Sequence, residues 1–269
     1  MNPAAPPPLD SPAIAVAPKP SAPRVAAFWA VLSALGALAV TPYQLALLPA
    51  EARARLPPLP VLLLVSALQS AVLFFLLALG GTYAARAIHL ESPIISVWLA
   101  GQRPRLPRSL GVAGLLGALI GLLTGGLDGL FAPHLPPMLH AAPASPTPWA
   151  GLLASLYGGV SEEVMTRLFL MSVIAWALSR ALGASGPGRS ASIGIAIVTA
   201  TLIFGAAHLP MTAHLWPLTP WVVTRALVLN AGVGLLSGAL YARWGLEHAI
   251  VAHFCGDVVL HTLLPALSG

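Results

Sequence analysis

Charge is what this sequence has least of. Asp, Glu, Lys and Arg make up 8% of its 269 residues, about a third of the share that a soluble domain carries. That scarcity excludes an ordinary water-solvated surface. Lysine is scarcer still: Lys19 is the only one, so the basic residues are almost all arginine. They stand between apolar runs and form no patch, which argues against nucleic-acid binding and makes them topology signals. The single cysteine, Cys255, excludes an internal disulfide. The first apolar run is long and has no clear cleavage site before more spans follow, so the N-terminus does not read as a signal peptide. The H-E-x-x-H helix of many zinc proteases is missing as well.

What is present is apolar. Hydrophobic residues account for 57% of the chain, and the mean hydropathy is +0.85. The fold class is therefore all-α, a polytopic transmembrane helix bundle set in a lipid bilayer. A helical span needs about 20 apolar residues. Seven runs qualify, at 26–48, 60–82, 109–131, 149–182, 190–209, 221–242 and 246–265. Residues 1–24 are Ala- and Pro-rich and are expected to be a disordered tail. Residues 25–148 then hold the N-terminal spans, and 149–265 the core that carries the polar motifs. The fourth run is too long for one upright helix at about 1.5 Å per residue. A break is expected at Gly158-Gly159, with Ser161 capping the helix that follows. In the third run, Gly117, Gly121, Gly125 and Gly129 recur every four residues, a smooth ridge suited to close helix packing.

The arginines orient the bundle. Lys19 and Arg24 precede the first run, and Arg86, Arg103, Arg105 and Arg108 lie between the second and third. Arg180 and Arg189 separate the fourth from the fifth, and Arg243 the sixth from the seventh. The alternate connections carry Arg53 and Arg55, then none, then only Arg225 at a helix start. This bias places the N-terminus in the cytoplasm. The Ala/Pro/Arg-rich composition suggests a GC-rich bacterial genome, hence the bacterial inner membrane.

Against this background a few polar residues at membrane depth stand out, because each buried charge there costs roughly 2.5–3.5 kcal/mol. "GGVSEEVMTRLFL" carries Glu162, Glu163 and Arg167. Glu163 and Arg167 are four apart and share a helical face, so they can pair. Glu162 is turned about 100° away and lacks that partner. "FGAAHLP" sets Phe204 four before His208, and "GLEHAIVAHFCGDVVLH" aligns His253, Asp257 and His261 on one face. Any one of these histidines alone would read as a satisfied core residue. Together they point to a polar centre. Cys255 points away from His253 and reads as packing.

Three motifs in order, E-E-x-x-x-R, F-x-x-x-H and H-x-x-x-D, on successive apolar runs resemble the CAAX protease and bacteriocin-processing family of intramembrane proteases, also called Abi. The resemblance covers residues 149–265 and implies endopeptidase hydrolysis within or near the bilayer, with peptides or membrane proteins as substrates. On that resemblance Glu162 is the base that activates water and His208 helps to hold the water. His253 and Asp257 stabilise the oxyanion, and Glu163, Arg167 and Phe204 support them. No cofactor is implied. Better-known members have asparagine where this chain has Asp257. An ionised aspartate cannot donate to an oxyanion, so Asp257 either carries a proton or orients His253.

Three other readings remain open at this stage. Glu162, His208, His253 and Asp257 are acceptable zinc ligands. The chain could instead be a non-catalytic scaffold or a bacteriocin-immunity protein. The same residues could also form a proton or ion pathway. Straight spans set His208 near one membrane face and His253 nearer the other, and only a tilted or broken helix would bring them to one point.

Overall fold

A computed structural model describes residues 19–139 and 146–268. Among these residues every regular element is a helix and there is no strand. Seven helices among the described residues are long and apolar enough to cross a membrane: α1 (Ala22–Leu47), α2 (Leu59–Ala87), α3 (Ser109–His134), α4 (Pro148–Leu182), α5 (Gly186–Leu215), α6 (Pro220–Trp244) and α7 (Leu246–Leu267). The protein is an all-α, multi-pass membrane protein. Most of the expected tail, up to residue 18, lies outside the described residues. Ala22–Arg24, also assigned to that tail, form the first turn of α1. Part of the Pro-rich connection between α3 and α4, residues 140–145, lies outside as well.

Local chemistry explains the helix ends. Prolines stand at the first turns of α1, α4 and α6, where a missing N–H removes no helical bond. The hydroxyl of Thr219 accepts from the Val222 amide at 3.4 Å and caps α6. Between α6 and α7 there is a single residue, Gly245, at φ +103°. A side chain there would be strained, and its Cβ would come within 2.3 Å of Pro93 Cδ.

The core beneath the site joins Trp29 of α1, Phe74 of α2, Leu168 and Met171 of α4, Tyr241 of α6 and Leu246 of α7. The glycine ridge of α3 is a seam against α7. A Cβ on Gly117 would sit 1.9 Å from the Ala252 carbonyl, and one on Gly121 2.6 Å from that of Gly256. At Gly125 it would meet only the side-chain ends of Leu264 and Leu260, and at Gly129 nothing within 4 Å. The close approach thus belongs to the first half of the ridge.

The expected break in α4 is not there. The helix continues through Gly158-Gly159 and widens into π-helical turns over Tyr157–Glu162 and Val164–Met171. Such turns recur at functional sites. The two glycines serve proximity to α7 instead. A Cβ on Gly158 would lie 2.0 Å from Asp257 Oδ2, and one on Gly159 2.8 Å from Phe254 Cβ. Ser161 caps nothing: it is mid-helix, buried, with its hydroxyl 3.5 Å from the Ser33 carbonyl of α1.

Candidate active site

The wide turns of α4 present two adjacent carboxylates to different surroundings. Glu163 and Arg167 are sealed in the bundle and lie 3.3 Å apart. Arg167 also donates to the Gly234 carbonyl of α6 at 2.9 Å and to the Thr166 hydroxyl. Its guanidinium stands 5.3 Å from the centre of the Phe204 ring, a favourable contact for a desolvated cation. Arg167 therefore ties α4 to α5 and α6.

Glu163 has a second partner that sequence spacing did not reveal. His253 Nδ1 donates to Glu163 Oε1 at 2.7 Å. This bond fixes the ring and leaves Nε2 as the working nitrogen. Nε2 faces two further carboxylates, Glu162 Oε2 at 3.8 Å and Asp257 Oδ1 at 3.6 Å. Both gaps exceed hydrogen-bond length. Glu162 itself looks into a cavity of about 380 Å³ that His208, His253 and Asp257 also line.

His208 reaches this cavity despite its late position in α5. The regular helix ends at Ala207, and the His208 ring folds back one turn, donating from Nδ1 to the Phe204 carbonyl at 2.8 Å. A carbonyl only accepts, so the proton is on Nδ1 and Nε2 is a free acceptor. Phe204 stands edge-on to His208 at 4.9 Å and to His253 at 5.8 Å. It spaces the two imidazoles and shares the sealed guanidinium. The structure thus gathers Glu162, His208, His253 and Asp257 around one cavity that Phe204 also lines, with Glu163 and Arg167 buried behind them.

Tyr43, His261, Asp128 and Arg225 also reach the cavity. Tyr43 of α1 places its hydroxyl 3.2 Å from His261 Nδ1, and His261 Nε2 lies 3.9 Å from Asp257 Oδ1. His261 was visible as the next residue on the His253 face. Tyr43 carried no sequence signal, because its meeting with α7 spans 218 positions. Asp128 of α3 and Arg225 of α6 also line the cavity and form a two-pronged pair at 2.6 and 2.9 Å. Among the described residues no group of three or more His, Cys, Asp or Glu side chains is placed to hold a metal ion. His253 Nδ1 and His208 Nδ1 are both committed to hydrogen bonds. Each ring thereby keeps Nε2 for the cavity that both residues line, an arrangement that water-binding and zinc-ligating histidines share.

Residues 144–259 match the family of Rce1-like type II CAAX prenyl endopeptidases. The match begins just before α4 and ends two residues beyond Asp257, so it contains all three motifs and excludes α1 to α3 and His261. No curated protein and no solved structure matches the chain.

Proposed function

We propose, on the premise that residues 144–259 are an Rce1-like domain of CAAX-protease type in a multi-pass membrane protein, that the chain is an intramembrane endopeptidase working with a glutamate-activated water. One observation supports this most: a free carboxylate, an imidazole with an open acceptor nitrogen, and a second imidazole fixed by a buried carboxylate all face one cavity among the spans. A water held between Glu162 and the His208 Nε2 gives up a proton to Glu162 as its oxygen attacks the scissile carbonyl. Glu162 returns that proton to the leaving amine as the C–N bond breaks. Such acid–base catalysis contributes about 10²–10⁴-fold.

The oxyanion of the tetrahedral intermediate accepts from His253. With Nδ1–H committed to Glu163, donation from Nε2 requires the ring to carry both protons, and the carboxylates of Glu162 and Glu163 beside it supply the balancing charge. A donor at this position is worth about 3–4 kcal/mol. Asp257 either donates as a neutral acid or holds the His253 ring in line. Peptides or membrane proteins in the bilayer are the substrates, and the arginine bias sets the N-terminus in the cytoplasm of a bacterial inner membrane.

Glu162→Gln keeps size and removes the base. Expected is a folded, membrane-inserted protein with cleavage lowered at least 10²-fold, read by mass spectrometry of membrane peptides in cells carrying either form. Full cleavage by Glu162→Gln would reject the base. Loss of cleavage on chelation, with zinc bound stoichiometrically, would replace the mechanism with a metal-dependent one. Identical peptide patterns for both forms alongside an intact cellular role would favour a scaffold.

A further inference from the structure

His261 and Tyr43 both lie outside the residues that match the family, yet both line the cavity. His261 is held from two sides. Gly151 of α4 packs so closely that a Cβ there would come within 1.8 Å of the His261 carbonyl, which fixes the backbone. Tyr43 of α1 stands edge-on to the imidazole, with 5.4 Å between ring centres and its hydroxyl 3.2 Å from Nδ1. The residue sits in a second π-helical turn, Val259–Leu263, and such turns recur at functional sites. Its ring is placed with care but is not sealed, since 38% of the side chain remains exposed.

What His261 faces is Asp257. Oδ1 of Asp257 stands between two imidazoles, 3.6 Å from His253 Nε2 and 3.9 Å from His261 Nε2. Both distances are too long for a hydrogen bond, so the carboxylate is suspended between the rings. An ionised carboxylate only accepts. His261 can attract it only with a proton on Nε2, and Nδ1 then accepts from the Tyr43 hydroxyl. The suspension has a chemical consequence, because His253 Nε2 is also the donor for the oxyanion. A shift of about 1 Å would give Asp257 a full hydrogen bond to that nitrogen. Charge favours such a shift, since bonds between an imidazolium and a carboxylate are strong.

Resting on the endopeptidase reading, we propose that His261 is a positioning residue that holds Asp257 off His253 Nε2 and so keeps this nitrogen free for the oxyanion. Tyr43 sets the tautomer of His261. Asp257 then orients the His253 ring from a distance, while Glu163 holds its other end. His261 acts through Asp257 alone. Without His261, Asp257 closes on His253 and turnover falls while substrate binding is untouched. With both side chains removed, that block is gone. A histidine present only to pack α7 against α1 would instead cost stability, equally with and without Asp257.

The test uses the full chain in detergent and a fluorogenic S-prenylated peptide ending in Cys-Ala-Ala-Leu. His261→Leu is expected to lower kcat about tenfold, the size of one charge-assisted hydrogen bond, with KM unchanged. His261→Gln, which keeps an N–H where Nε2 stood, is expected to recover most of that loss. In the Asp257→Ala background, His261→Leu is expected to cost nothing further, as residues acting through one another are non-additive. A second measurement needs no turnover. In the chain labelled with 15N-histidine, the His253 Nε2 signal is expected to shift on His261→Leu, and not to shift when the same change is made in Asp257→Ala. Equal losses from His261→Leu with and without Asp257 overturn the proposal, as does a His261→Gln no better than His261→Leu. So does a His253 signal that His261→Leu leaves unmoved, which decides the matter even where Asp257→Ala cleaves too slowly to measure. Failure of the endopeptidase reading is separate: the unsubstituted chain would then not cleave the peptide, while the His253 signal still reports on His261.

Discussion

Glu163–Arg167 and Asp128–Arg225 are both carboxylate–arginine pairs inside the bundle, and they are built in opposite ways. The first joins residues four apart on one helix and is sealed, with 0% and 2% of the two side chains exposed. Its geometry is a single contact at 3.3 Å, because Arg167 divides its donors among Glu163, Thr166 and Gly234, and Glu163 divides its oxygen between Arg167 and His253. The second joins two helices, commits both prongs to one carboxylate, and opens on the cavity. A sealed charge with several partners cannot exchange any of them without leaving another stranded. An open pair with one partner can trade it for a ligand at little loss. The first arrangement suits positioning and the second suits binding.

The sharpest way to break this contrast is to remove Glu163. Glu163→Ala strands Arg167 in a dry site and releases His253 Nδ1. An expected loss of about 3–5 kcal/mol of stability follows, seen as a large drop in melting temperature in detergent. Glu163→Ala with Arg167→Leu is expected to recover much of the stability and none of the cleavage, since His253 stays unheld. Recovery of cleavage by the double variant would show that Glu163 serves only to balance the charge.

Next in size is Gly158→Ala. Its methyl would meet the Asp257 carboxylate at 2.0 Å, so α4 and α7 must part or Asp257 must turn. Overpacking of this kind costs about 1–3 kcal/mol, and cleavage is expected to fall further than stability does. Gly129→Ala, where nothing lies within 4 Å, is the control and should leave both unchanged.

The smallest effect belongs to the open pair. Asp128→Asn is expected to change stability by less than about 1 kcal/mol, the range of solvent-reachable ion pairs. A loss as large as that of Glu163→Ala would make Asp128–Arg225 a structural clamp between α3 and α6 and erase the distinction.

Much of the architecture was legible in the linear sequence. Seven apolar runs need only local composition, and each became a helix within a few residues of its expected ends, the fifth extending furthest, from 190–209 to Gly186–Leu215. The Glu163–Arg167 contact was legible because helical spacing alone brings i and i+4 together. The α4 break was misread because glycine pairs serve two purposes. Without the neighbour in view, a glycine that admits Phe254 and Asp257 looks the same as one that ends a helix. The depth conflict of His208 and His253 came from counting backbones, whereas the His208 ring turns back one helical turn to Phe204.

By itself, then, the sequence determined that this chain is a helical membrane protein with a few charges held at depth, since the hydrophobic effect and helix periodicity act over short stretches of chain. Only the tertiary structure decided that Glu163 holds His253 from 90 residues away. It also decided that Tyr43 meets His261 across 218 positions, and that Asp128 fills the fork of Arg225 across 97. Those contacts depend on which helix faces stack and how closely, and that choice is made by packing among all seven helices at once.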